Sequence, residues 1–249
     1  MAWLKYNNAR NDFDIIEDRE QHDLHIDDFL KSKLDNILKL QKKNWDAVFI
    51  ICGTEGSGKS TLSFICGQYL TGMKITLDNI ANGSDDAMEK LQRLPDGSTL
   101  IVDEAELLFS SRDTMTREQK QLTKIMMIIR QKKMVLILVS PVFFDLSKYI
   151  AVDRSRFLLR AYTDNALNRG RYAYWGTKRK MRLYHEGKKN HGMYLKPKAN
   201  IYGIFTEYKL PFDDEYQKVK LQTLLKAFEK KDKPKKTKEI EDKDIEITD

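Results

Sequence analysis

The sequence predicts an α/β fold built on a doubly wound, mainly parallel sheet. Three observations predict it. Residues 47–52, 99–103 and 134–139 are short apolar runs with little polar alternation, the pattern of strands covered on both faces. Longer segments whose apolar residues recur at helical spacing separate them, as in β-α-β crossovers. A glycine-rich turn joins the first run directly to one of these helical segments.

In chain order, residues 1–26 read as an acidic N-terminal arm whose charges follow no helical stripe. Asp27 or Asp28 then caps a helix in which Phe29, Leu30, Leu34, Ile37, Leu38 and Leu40 share a face. Strand 47–52 follows and ends at the glycine turn, where a helix begins at Lys59-Ser60 and runs towards Tyr69. Residues 74–77 read as a second strand, and Ser84 with Asp85 and Asp86 as a helix start. Pro95-Asp96-Gly97 turns the chain into strand 99–103. Segment 116–132, with Leu122, Ile125, Met126, Ile128 and Ile129, is a crossover helix, and 134–139 and 156–162 complete the parallel set. The core therefore spans 27–162. Residues 163–229 read as a basic, aromatic, β-rich appendage with strands at 171–175, 180–184 and 201–208 and a closing helix at 211–228. The tail, 230–249, is highly charged and nearly free of aromatics, a composition expected to stay disordered.

A chain of 249 residues that is 41% hydrophobic is long enough for one sizeable core. Its apolar runs fall far short of the roughly 20 residues that span a bilayer, and the first residues lack a signal-peptide pattern. The expectation is no transmembrane segment and a cytoplasmic location, host cytoplasm for a viral protein. Cys52 and Cys66 lie among apolar residues and read as buried, reduced thiols. His22, His25, His185 and His191 lack metal-ligand spacing and read as surface residues. The net charge of +7 is uneven. Between Arg169 and Lys198 ten lysines and arginines face a single acid, Glu186, an asymmetry that calls for an anionic partner.

The chemistry concentrates in two places. Gly53-Thr54-Glu55-Gly56-Ser57-Gly58-Lys59-Ser60 matches the phosphate-binding (Walker A) pattern. Glycines let successive backbone N–H groups turn inward around phosphate oxygens, Lys59 neutralises the β- and γ-phosphates, Ser60 ligates Mg²⁺, and Thr61 adds a hydroxyl near the α-phosphate. Leu100-Ile101-Val102-Asp103-Glu104 supplies the acidic (Walker B) partner. Asp103 at a strand's carboxyl end is placed to hold Mg²⁺ through its water shell, and Glu104 to polarise an attacking water, with Glu106 a weaker candidate. The implied cofactors are ATP and Mg²⁺, and the implied activity is ATP hydrolysis.

These two motifs, with the block from Ile129 through Arg130 to Ser140-Pro141, resemble the additional-strand P-loop ATPases and specifically their HerA/FtsK-like branch. That branch includes viral genome-packaging ATPases and zonular-occludens-toxin-like phage proteins. The resemblance covers residues 47–162 and implies a RecA-like core carrying a small β-rich basic appendage. It implies a polar sensor at Ser140, where the family commonly has Gln. It also implies a ring, hexameric or pentameric, in which an arginine acts on the neighbouring subunit's nucleotide. Arg112, Arg117, Arg130, Arg154 and Arg156 are candidates, with Arg130 and Arg154 preferred.

The segment from Arg169 to Lys198 mixes its cations with Tyr172, Tyr174, Trp175, Tyr184 and Tyr194, a combination suited to phosphate contact and base stacking. Together with the resemblance, which alone implies a virus or mobile element, this implies a motor that translocates, packages or remodels nucleic acid, DNA before RNA. Two alternatives stay open: an assembly or secretion ATPase acting on a protein or membrane partner, and a small-molecule kinase.

Overall fold

The structure, a computed structural model, describes residues 2–16, 23–103, 117–190, 192–194 and 196–231. The chain divides into two compact units, Met1–Phe212 and Asp213–Asp249. The first holds two sheets. Strands β1 (Ala2–Asn7), β2 (Asp12–Ile16) and β3 (Leu24–Ile26) form an antiparallel sheet in the order β2-β1-β3. The acidic arm, expected to be extended or partly ordered, forms a sheet in its described part: Leu4, Leu24 and Ile26 are buried, and the Phe13 ring stacks on Tyr69 at 5.0 Å. His25, read as a surface residue, is buried against the Trp3 ring at 4.1 Å.

Helix α1 (Asp28–Lys42) starts where Asp27 Oδ1 accepts from the Leu30 N–H at 2.9 Å, and it buries Leu30, Leu34 and Ile37. The second sheet has the order β10-β9-β8-β4-β7-β6-β5. Its parallel part runs through β8 (Phe157–Tyr162), β4 (Ala47–Cys52), β7 (Val135–Ser140), β6 (Thr99–Asp103) and β5 (Ile80–Asn82). The carrying helices are α2 (Lys59–Thr71), α3 (Ser84–Arg93) and α4 (Arg117–Gln131). Every residue of β4, β6 and β7 is buried, as their unbroken apolar runs require.

Two strand assignments are corrected. Residues 74–77 are not a strand. Thr76 opens a single 3₁₀ turn, Leu77–Asn79, closed by Asn79 Oδ1 accepting from the Thr76 N–H, and the edge strand forms later, at 80–82. Residues 180–184 belong to a helix, α5 (Thr177–Lys189), whose buried face is Lys180, Leu183, Tyr184 and Gly187. That spacing is helical, and the lysine hid it by counting as polar. Strand β9 (Arg171–Gly176) and strand β10 (Ile201–Ile204) fall where β structure was expected, the second shorter than read. β9 pairs antiparallel with β8 and β10 antiparallel with β9, so the two extend the main sheet.

The second unit contains helix α6 (Asp213–Lys231), and the expected tail from 232 on lies outside the described residues. Among the described residues no helix is long and apolar enough to cross a membrane.

Candidate functional site

Strand β4 delivers the chain at its carboxyl end into the glycine loop. Gly53 has φ +148°, and a β-carbon there would collide with the carbonyl oxygen of Ala161 at the end of β8. Only glycine lets the loop leave the sheet so close to its neighbour. Ser57 is fully buried and closes the turn by donating from both its N–H (3.2 Å) and Oγ (2.7 Å) to the Thr54 carbonyl. Gly58, at φ +92°, sets the direction in which α2 leaves the loop, and its carbonyl accepts the first helical bond from the Leu62 N–H at 2.9 Å. No side chain caps the amino end of α2, and its first turn carries no acid. A helix start of this kind presents partial positive charge and N–H donors to an anion. Lys59 Nζ donates to the Thr54 carbonyl at 2.9 Å, so its ammonium lies over the loop. Thr54, Glu55 and Gly56 are exposed, and Lys59, Ser60 and Thr61 are half-exposed, which leaves the loop open to a ligand. The residues present therefore fit a nucleotide's phosphates.

Asp103 is buried at the carboxyl end of β6, paired with Asn82 across the β5·β6 register. Its direction follows from strand alternation. Ile101 packs its side chain against Gly67 of α2, so Asp103, two residues on, points to the same face and the same helix. Among the described residues, Ser60 at the start of α2 and Asp103 are side chains suited to hold a hard cation such as Mg²⁺.

Ser140 ends β7 opposite Cys52, the last residue before the loop; it is buried, and its Oγ donates to the Val142 carbonyl at 3.1 Å. Tyr194 packs nearby. Its hydroxyl lies 3.4 Å from Cys52 Sγ and accepts from the Phe143 N–H at 3.0 Å, and the Arg160 guanidinium sits 4.3 Å above its ring. Burial pushes the Cys52 thiol up to about 11, with the Tyr194 hydroxyl and the Arg160 and Lys59 charges opposing, and burial also raises Cys66. Both cysteines are free, buried and protonated at neutral pH, as read.

The acid strand β6 is separated from the loop strand β4 by β7, and β8 flanks β4 on its other side. An additional strand in that place, with a glycine loop leading into α2, decides the architecture. The fold is that of a P-loop NTPase. No family model and no curated protein matches the chain. Among solved structures it is similar to the genome-packaging NTPase B204 of Sulfolobus turreted icosahedral virus 2 in complex with ATP-gammaS. Identity is 15% and the TM-score 0.42, over 53% of this chain and 93% of that one. It is also similar to the N-terminal domain of zonular occludens toxin from Neisseria meningitidis, at 13% identity and a TM-score of 0.40, over 68% of this chain and 98% of that one. Both kinds of protein are those the sequence resemblance names.

Within this P-loop NTPase fold the other expected site residues fall as follows. Glu104, Glu106 and Arg112 lie outside the described residues, and Arg117 opens α4. Arg130 is exposed in the last turn of α4. Arg154 pairs with Asp46, and Arg156 donates to the Asp46 carbonyl at 3.1 Å. Asp46 precedes β4 and the loop follows it, so this cluster lies at the opposite sheet edge, about 20 Å from the chain's own loop at ~3.3 Å per residue. Neither Arg154 nor Arg156 reaches the loop of its own subunit.

The basic segment is corrected in two respects. Tyr172, Tyr174, Trp175 and Tyr184 are buried, so they pack the core and do not offer faces to bases. Lys180, counted among surface cations, is fully buried. Its Nζ donates to the carbonyls of Ala151, Val152 and Ser155 and to the Ser155 hydroxyl at 2.5–3.2 Å. Those carbonyls belong to the end of the π-helical turn Tyr149–Arg154 and the residue after it. Lys178, Arg179, Arg182, Lys188 and Lys189 are the exposed cations of α5. Sequence reasoning missed Arg160, for which a lone arginine within an apolar strand was the available signal, and it read Tyr194 as a stacking face where its hydroxyl meets Cys52 and Phe143.

Proposed function

We propose that the protein is an ATP-hydrolysing motor acting on nucleic acid, working in the cytoplasm as a ring of identical subunits. The observation that supports it best is the uncapped glycine loop with Lys59 over it at the amino end of α2, with Asp103 buried on the strand face that packs against the same helix. Lys59 exchanges its bond to the Thr54 carbonyl for phosphate oxygens on binding. Ser60 and Asp103 hold Mg²⁺, which when bound neutralises phosphate charge. Glu104, next in sequence to Asp103, serves as the base that orients and polarises water, and Ser140 as the polar sensor. Arg130 and Arg154 can act only on a neighbouring subunit's nucleotide, and Arg154 would first exchange Asp46 for it.

Nucleic acid is assigned to α5. Lys178, Arg182 and Lys189 recur at spacings of four and seven, one exposed stripe suited to a phosphate backbone. Recognition through such a stripe carries no base specificity.

The test is ATP turnover with and without single-stranded DNA, duplex DNA and RNA, in the wild type, in Lys59→Ala and in the triple variant Lys178→Ala/Arg182→Ala/Lys189→Ala. Lys59→Ala abolishes turnover. The triple variant keeps basal turnover, loses stimulation by polymer, and flattens the salt dependence of duplex binding by up to about 0.9 of log–log slope per lost contact. Coincident binding curves for the triple variant and wild type would remove nucleic acid and leave an assembly ATPase.

A further inference from the structure

A pocket of about 330 Å³ opens beside the loop, lined by Gly58, Thr61, Arg169, Gly170, Phe205, Thr206 and Glu207. Its floor is the phosphate loop itself. Gly58 caps α2 and Thr61 lies in its first turn, and Thr61 is the hydroxyl expected nearest the α-phosphate. The pocket therefore continues from the nucleoside end of a bound triphosphate. Its other wall comes from segments that lie more than a hundred residues further along the chain.

That wall is built as one piece. The Phe205 N–H donates to the Gly170 carbonyl at 2.8 Å, and a β-carbon at Gly170 would stand 2.5 Å from the Phe205 carbonyl oxygen. Gly170, at φ +88°, lets the backbone before β9 close on the backbone after β10. Phe205 then lays its ring on the loop, its Cζ 3.0 Å from where a β-carbon of Gly58 would be. On the Arg169 side, the preceding turn is tied down by Asp164, which accepts from the N–H groups of Ala166 (3.0 Å) and Asn168 (2.9 Å) and pairs with Arg171 at 3.0 Å. Arg169 leaves this anchored turn with an exposed side chain, and one guanidinium nitrogen lies 3.7 Å from the β-carbon position of Gly56. A cation aimed at the middle of a phosphate loop from the same chain has one chemical use there, a fork of N–H donors for phosphate oxygens.

We propose that Arg169 binds the nucleotide's phosphates within its own subunit, and that the pocket between Thr61 and Phe205–Glu207 receives the nucleoside. This takes Arg169 out of the nucleic-acid surface to which its neighbours in sequence are assigned. It rests on the reading of the loop as a nucleotide site.

Isothermal titration of the full chain separates the parts, using ATPγS as the complete ligand and inorganic tripolyphosphate as a ligand with no nucleoside. Arg169→Ala weakens both ligands by roughly tenfold to a hundredfold, the range for a lost charged hydrogen bond. Arg169→Lys restores part of the loss. Thr206→Trp, which fills the pocket from a half-exposed position, weakens ATPγS at least tenfold and leaves tripolyphosphate within about twofold. Unchanged binding of both ligands to Arg169→Ala, with Lys59→Ala still defective, overturns the role of Arg169 alone. Unchanged ATPγS binding to Thr206→Trp overturns the nucleoside pocket. Equal binding by Lys59→Ala and wild type, or none by wild type, overturns the underlying reading and this one with it.

Discussion

Lys180 shows how one side chain can act against its own charge. Burial lowers its ammonium to about 7, with Asp153 opposing the shift, while four acceptors surround its Nζ. Above that pH the folded chain releases a proton that the unfolded chain keeps, because a free lysine stays protonated until far higher pH. The unfolded state then binds more protons, so stability rises with pH, by at most about 1.4 kcal/mol per unit. Between pH 7 and 8 the slope of the denaturation midpoint against pH is more positive in the wild type than in Lys180→Met; the two buried thiols, which ionise at about pH 8.5 only once unfolded, lower both curves alike. That variant is also less stable by about 3 kcal/mol, since it strands several buried carbonyls. The same burial keeps Lys180 off any nucleic-acid surface. At Gly53 the constraint is steric: Gly53→Ala forces the loop away from the Ala161 carbonyl, and titration with ATPγS will find binding lost.

Among the elements, those fixed by a continuous apolar run or by a cap were legible in the sequence. β4, β6, β7 and β8 emerge within one residue of expectation, and Asp27 caps α1 as read. The phosphate loop was legible because its glycine spacing is a local pattern, although the contacts that require Gly53 and Gly58, to Ala161 and Phe205, are long-range. What sequence could not give was anything set by long-range contact. Lys180 looks polar until its acceptors from 151–155 are known, and Phe205 carries no mark that it rests on Gly58. The 74–77 assignment failed because Asn79 turns the chain back on Thr76, a side-chain bond that hydropathy does not register. In β10, a β-carbon at Gly203 would collide with Asp27 Oδ2 and the Tyr172 ring. Gly203→Val therefore displaces β10 and destabilises the chain by about 2 kcal/mol, measurable by urea denaturation.

At the scale of the molecule, the amino-terminal sheet is part of the fold. It buries Leu4, Leu24 and Ile26 and stacks Phe13 on Tyr69 of α2. Removing residues 2–26 lowers the melting temperature by about 10 °C or more, since each lost apolar burial contributes about 1.5–3 kcal/mol; a loose arm would leave it unchanged. The closing of the phosphate loop by Ala161 and its covering by Phe205 also bear on how the protein is born. The loop leaves the ribosome early, yet its last contact is made by a residue about 150 positions later. At about 5–20 residues per second, ~7 to 30 s pass between the two. Through that interval the nascent chain carries a phosphate loop that Phe205 does not yet cover. A message broken before the codon for Phe205 yields a product with the phosphate loop and without the ring that covers Gly58.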